Sequence, residues 1–203
     1  MTGDSGNISD YMLRTAEMII RVAEVVDDEE SRQFISEILS GRRIYVTGAG
    51  RSGLVAKAFA IRLMHLGFSC YVIGETITPA FESGDMLVAF SGSGETKSVV
   101  SAAEKVRELG GWICLITANP ESHAAGHVNL VIDLGESSGN SADLPPEHEV
   151  RQITGQYRSV SVPIGRGSAF EMVALAYSDA IISALMAARH LDPDEVRLRF
   201  SNI

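Results

Sequence analysis

Two short glycine- and hydroxyl-rich segments carry the residues best suited to chemistry: Gly48-Ala49-Gly50-Arg51-Ser52-Gly53 and Ser91-Gly92-Ser93-Gly94-Glu95-Thr96. Each follows a short apolar run and opens a helical pattern. The first fits the dinucleotide fingerprint G-x-G-x-x-G, and Glu75 ends the next apolar run about 20 residues beyond Gly53, the place for an acid that binds a ribose. Taken alone, this loop predicts a small NAD-binding protein. The second loop differs in kind. Its hydroxyls, Ser91, Ser93 and Thr96, converge with backbone N–H groups where a helix dipole is positive, which makes a compact phosphate cradle. The competing roles are helix caps for the serines and turns for the glycines.

These loops need elements that bring them together. Ile44-Tyr45-Val46, Cys70 to Ile73, Met86 to Phe90, Ile113 to Ile116 and Leu130 to Ile132 are short continuous apolar runs, as expected of strands buried on both faces. Helical spacing occupies Arg51 to Leu66 and Glu95 to Leu109, with a shorter stretch after Pro120. Alternation of strand and helix predicts an α/β fold: a doubly wound three-layer α-β-α sandwich on a five-stranded parallel sheet in flavodoxin-like order. In that order the first and third strands are neighbours at the switch point, so both loops open onto one crevice. Residues 1–40 read as two helices broken at the acidic run Asp27 to Glu30, 41–135 as the βα core, 136–163 as a polar lid or loop and 164–203 as C-terminal helices. Within the last part, Ala169 to Ala188 is apolar enough to pack on the sheet or on another subunit.

The chain has 203 residues, with 17 Lys and Arg against 26 Asp and Glu, giving a net charge of −9. This fits one domain and enough apolar residues for a core. A pI near 5.0 argues against a sequence-independent grip on nucleic acid, which rests on clustered Lys and Arg. The N-terminus lacks a signal-peptide pattern and no run is expected to be long enough to span a bilayer, so the protein is expected in the cytoplasm. Cys70 and Cys114 lie in strand-like runs and are expected to be reduced core thiols. His123 and His127, four apart, with His148 further on, invite a metal reading; no carboxylate stands at a matching spacing, so no metal is expected. Glu75, Thr76 and Thr78 end the second strand near the crevice, where they could bond sugar hydroxyls or build a turn.

The pair GAGRSG and SGSGET resembles the signature of the SIS (sugar isomerase) domain. Gly50 to Gly53, Arg62-Leu63-Met64-His65-Leu66-Gly67, Gly74 to Pro79 and Pro163-Ile164-Gly165 through Glu171 resemble the 6-phospho-3-hexuloisomerases within it. The resemblance implies interconversion of 3-hexulose 6-phosphate with fructose 6-phosphate through a cis-enediolate, in the ribulose monophosphate route of formaldehyde fixation. It implies neither cofactor nor metal, and a dimer of dimers. By position, Ser52, Ser91, Ser93 and Thr96 would bind phosphate, with Gly50 and Arg51 along the sugar. Glu171 would be the base and His65 would assist ring opening or proton movement, in a neighbouring subunit's site if not its own.

Each role has a rival. Ser168-Ala169-Phe170-Glu171 is also a capping box, and His65 also suits a subunit contact. Two features depart from the family: Phe200 replaces the histidine of an H-x-N tail, and the stretch from Glu136 to Val162 is longer. A non-catalytic sugar-phosphate sensor is the alternative function, and a dinucleotide enzyme a more distant one.

Overall fold

The computed structural model describes residues 7–135 and 169–200. Helices α1 (Ile8–Val25) and α2 (Asp28–Leu39) precede β1 (Ile44–Gly48), α3 (Gly50–His65), β2 (Cys70–Val72), β3 (Met86–Phe90), α4 (Lys97–Glu108), β4 (Trp112–Thr117) and β5 (Leu130–Asp133). Two further helices follow, α5 (Ala169–Ala188) and α6 (Pro193–Arg197). The sheet is wholly parallel, in the order β2-β1-β3-β4-β5. The lid expected at 136–163 and the possible cap Ser168 lie outside the described residues.

The acidic run that separates the first two helices works through one side chain. The backbone N–H groups of Glu29 and Glu30 donate to the Asp27 carboxylate at 2.7 and 2.9 Å, so Asp27 caps α2 and α1 ends before it. The helix expected after Pro120 is a single 3-10 turn, Ala124–His127. Strand alternation divides the core. Val46, Val88 and Ile116 face a layer made by α1, α2, α3 and α5, whereas Tyr45, Leu87 and Leu115 face α4 and the 3-10 turn.

One expectation is corrected. Helix α5 is long and apolar enough to span a bilayer, 20 residues with a mean hydropathy of 1.5. It packs instead within the first layer, burying Val173, Ala174, Ser178, Ile181, Ile182 and Leu185. Arg189, just beyond it, donates to the Leu66 carbonyl at 2.8 Å and lies over the Phe68 ring, so the basic group satisfies the end of α3 rather than its own helix. Both cysteines are free thiols; Cys114 is fully buried and Cys70 half-buried on the edge strand.

Candidate active site

The register of β1 against β3 sets Gly48 level with Phe90. The chain therefore leaves both strands at one height, and the two glycine-rich loops begin side by side, about 4.8 Å apart. Helix α3 then turns to one face of the sheet and α4 to the other, which opens a crevice between the loops. The first loop is tight. A Cβ on Gly48 would come within 2.9 Å of the Gly53 nitrogen, and one on Gly53 within 2.7 Å of the Gly48 carbonyl oxygen, so backbone meets backbone where strand passes into helix.

Capping separates these two helices from α1, α2 and α6. Asn7, Asp27 and Asp192 accept first-turn N–H groups of α1, α2 and α6 through their side chains. Ala49 at α3 and Thr96 at α4 make no such bond. The helices that open on the crevice thus keep their N-termini free of a side-chain cap, the arrangement that favours an anion. Ser91 and Ser93 are used differently from caps. The Gly94 N–H donates to Ser91 Oγ at 3.1 Å and the Glu95 N–H to Ser93 Oγ at 3.2 Å, so the hydroxyl oxygens brace their own loop. Ser91 Oγ also stands 3.3 Å from Thr96 Oγ1. Gly94 has φ +65°, a conformation that side chains other than glycine's rarely adopt.

Glu171 sits in the first turn of α5 and reaches the same crevice. Its Oε2 is buried with no hydrogen-bond partner and lies 3.7 Å from Arg51 Nε, which belongs to the first loop. Its neighbour Phe170 packs on Gly92 of the second loop, where an added Cβ would meet the ring at 3.0 Å. Residues 170 and 171 therefore touch both loops. Ser52, next in the chain to Arg51, is buried in the opening turn of α3.

The other expected residues divide. Glu75 pairs with Lys57 at 2.5 Å, both half exposed on the outside of α3. Thr78 donates its hydroxyl to the Val72 carbonyl, and the Glu75 N–H bonds the same oxygen at 3.2 Å, so these two residues build the turn after β2. Thr76 is exposed at that turn. His65 ends α3 at the opposite edge of the sheet, about 20 Å along the helix from Ser52. There its buried ring packs on Phe200 with centroids 4.4 Å apart, so the residue that departs from the family tail lies against the expected catalytic histidine. Burial, and then the Arg62 charge, push its pKa below the ordinary 6.5.

Three site residues were missed from sequence. Asn119 donates its amide to the Ser93 carbonyl at 3.1 Å, Ser122 fills the space beside Gly94, and Phe170 packs on Gly92. The signal available for Asn119 was its place just after β4, at the same edge of the sheet. The ground for setting aside a metal at His123 and His127 also changes. Glu104 from α4 lies beside them, with Oε1 3.6 Å from His127 Nε2. His148 lies outside the described residues.

Residues 37–142 match the SIS domain family. The chain is 36% identical over 195 residues to the 3-hexulose-6-phosphate isomerase of Bacillus subtilis, covering 96% of this chain and 98% of that one. It is 32% identical to the protein of the same name from Mycobacterium gastri, over 97% and 92% of the two chains. Among solved structures, a Methanococcus jannaschii protein for which a 3-hexulose-6-phosphate isomerase function was inferred superposes with a TM-score of 0.75 at 29% identity, over 93% and 96%. With the family matched across both glycine-rich loops and relatives above 30% identity along almost the whole length, the chain belongs to the SIS domain family and is an isomerase.

Proposed function

We propose that this isomerase interconverts 3-hexulose 6-phosphate and fructose 6-phosphate, the reaction named for its full-length relatives. The observation that carries the reading is Glu171: a carboxylate whose Oε2 is buried without a hydrogen-bond partner beside Arg51, on a helix that touches both glycine-rich loops. Moving a carbonyl between C2 and C3 requires a group that takes a proton beside the carbonyl and returns it to the neighbouring carbon. Glu171 does so here. The hydroxyls of Ser52, Ser91, Ser93 and Thr96, with the uncapped N-termini of α3 and α4, hold the phosphate and fix the carbon chain against that carboxylate. Gly50, Arg51 and Thr76 border the sugar, while Glu75 and Thr78 support the turn beside it. Arg51 is placed to stabilise negative charge on the enediolate oxygens.

His65 is too far from this crevice to act in its own chain. In this reading it serves a neighbouring copy within a dimer of dimers, and the exposed apolar residues Leu54, Ile61 and Met64 give α3 a face for that contact. The reading places the protein in the cytoplasm, at the second step of formaldehyde fixation through ribulose monophosphate.

Incubation with fructose 6-phosphate in deuterated water tests it, with the C3 proton followed by NMR. Exchange is expected in the parent, and Glu171→Gln lowers its rate about 10²- to 10⁴-fold while sugar-phosphate binding persists. Binding without any exchange in the parent would instead mark a sugar-phosphate sensor.

A further inference from the structure

We propose that His123, His127 and Glu104 form a binding site for a divalent d-block cation, outside the phosphate crevice, which clamps the turn at 122–127 to α4. Their donor atoms all lie within 4.8 Å of one another. The two imidazoles stack with centroids 5.8 Å apart and planes inclined by 30°. His123 has helical backbone angles, φ −58° and ψ −44°, and leads into the 3-10 turn that ends at His127. The spacing of four therefore brings both rings to one side of a single turn, and Glu104 faces them from α4. An ion pair with a protonated His127 accounts for Glu104 alone. It gives the His123 ring no reason to lie against His127.

Zinc bonds of about 2.0–2.1 Å to nitrogen and oxygen put tetrahedral donors about 3.3–3.5 Å apart. Glu104 and His127 are nearly at that separation, and His123 closes the remainder by a small rotation of an exposed side chain. Two imidazoles and one carboxylate favour zinc, nickel or cobalt over magnesium or calcium, which take shells of oxygen. Three protein ligands leave a position for water.

The backbone that carries these ligands is fixed by other groups. Arg107 Nη1 donates to the Gly126 carbonyl at 2.8 Å, the His123 N–H donates to Glu95 Oε1 at 2.8 Å, and the Ala124 N–H donates to the Gly94 carbonyl at 3.1 Å. Arg107 is thereby engaged, and Glu108 on the same open hollow is paired with Lys105. A cation here would tie α4 to the turn that abuts the second glycine-rich loop.

The test uses tag-free full-length protein, stripped with chelator and desalted, titrated with Zn²⁺ in competition with a chromophoric chelator and melted with and without Zn²⁺. One zinc per chain is expected, with a rise in melting temperature that EDTA reverses and that excess Mg²⁺ does not compete away. Bound Co²⁺ should show visible ligand-field absorption. His123→Ala and Glu104→Gln should each weaken zinc binding about tenfold or more and abolish the thermal shift, with the metal-free melting temperature unchanged. If Glu104→Gln alone melts early without metal, His123→Ala decides. No saturable uptake by the parent, unchanged zinc affinity in the variants, or displacement by Mg²⁺ would each overturn the site.

Discussion

Ser91 and Glu95 divide the work of the second loop between a hydroxyl and an acid. Ser91 accepts the Gly94 N–H and so holds the loop open toward the crevice, while Glu95 turns its carboxylate away to the His123 N–H. An acid is compatible with the proposed phosphate-binding role of this loop because that charge is directed at another segment. His65 presents the opposite situation, with both ring nitrogens buried and without a hydrogen-bond partner. Burial and Arg62 lower its pKa from 6.5, so the folded chain favours the neutral ring while the unfolded chain protonates normally. Its contribution to stability is thus complete above about pH 6.5 and is lost as pH falls toward the folded pKa, below which the curve flattens. Urea unfolding at about pH 7.5 and pH 5.5 should show a larger acid loss for the parent than for His65→Leu. Equal losses in the two chains would count against this assignment.

At the scale of elements, the crevice depends on how closely β1 can pass into α3. Gly48 and Gly53 leave no space for a side chain, and the obstacles are backbone atoms that cannot rotate aside. Gly48→Ala should therefore cost about 1–3 kcal/mol, the range for overpacking, and should weaken sugar-phosphate binding by displacing the first loop. Gly126→Ala is the control, since nothing lies within 4 Å of its added methyl. Chemical denaturation of both variants gives the comparison, and equal midpoints would contradict the close-approach account. These glycines were legible in the sequence as a motif. The proposal that they serve a phosphate crevice rather than a dinucleotide turn rests on the hydroxyls of the second loop and on the strand order that pairs the two.

Across the whole molecule, the sheet's two edges have separate tasks. The C-terminal edge carries both loops and Glu171. The opposite edge is locked by Asp85, a buried carboxylate that takes two bonds from Arg43 at 2.9 and 2.6 Å and the Glu82 N–H at 2.7 Å. These contacts tie the start of β1 to the start of β3 and thereby hold the register that aligns the loops. Asp85→Ala should lower the melting temperature by about 5 °C, as expected for lost charged hydrogen bonds in a chain of this size, with turnover by the folded protein little changed. Glu82→Ala is expected to do less, because that carboxylate is 74% exposed. A larger thermal loss from Glu82→Ala would contradict the lock. The net charge of −9 presents no barrier to an anionic substrate, because helix N-termini and hydroxyls act locally and need no excess of Lys or Arg.

Local patterning along the chain is enough to read the strands, the chain order of the helices and the two loops. Continuous apolar runs, helical spacing and glycine placement are local signals, and Ala169–Ala188 was read at the bounds it has in the fold. It also proposed residues that the tertiary structure then sorted. Glu75 and Thr78 follow the right strand, yet a pairing with Lys57 and a bond back to the Val72 carbonyl decide their places, and Lys57 comes from α3, outside the run that drew attention to Glu75. Glu171 reaches the loops only because α5 lies across α3, and the distance of His65 follows only from the length and direction of α3. Glu104 meets the two histidines only because α4 packs beside the 3-10 turn. Spacing along a chain reports which side chains share a strand or helix; which elements become neighbours is set by burial of the sheet's two faces, and that appears only when the chain is folded.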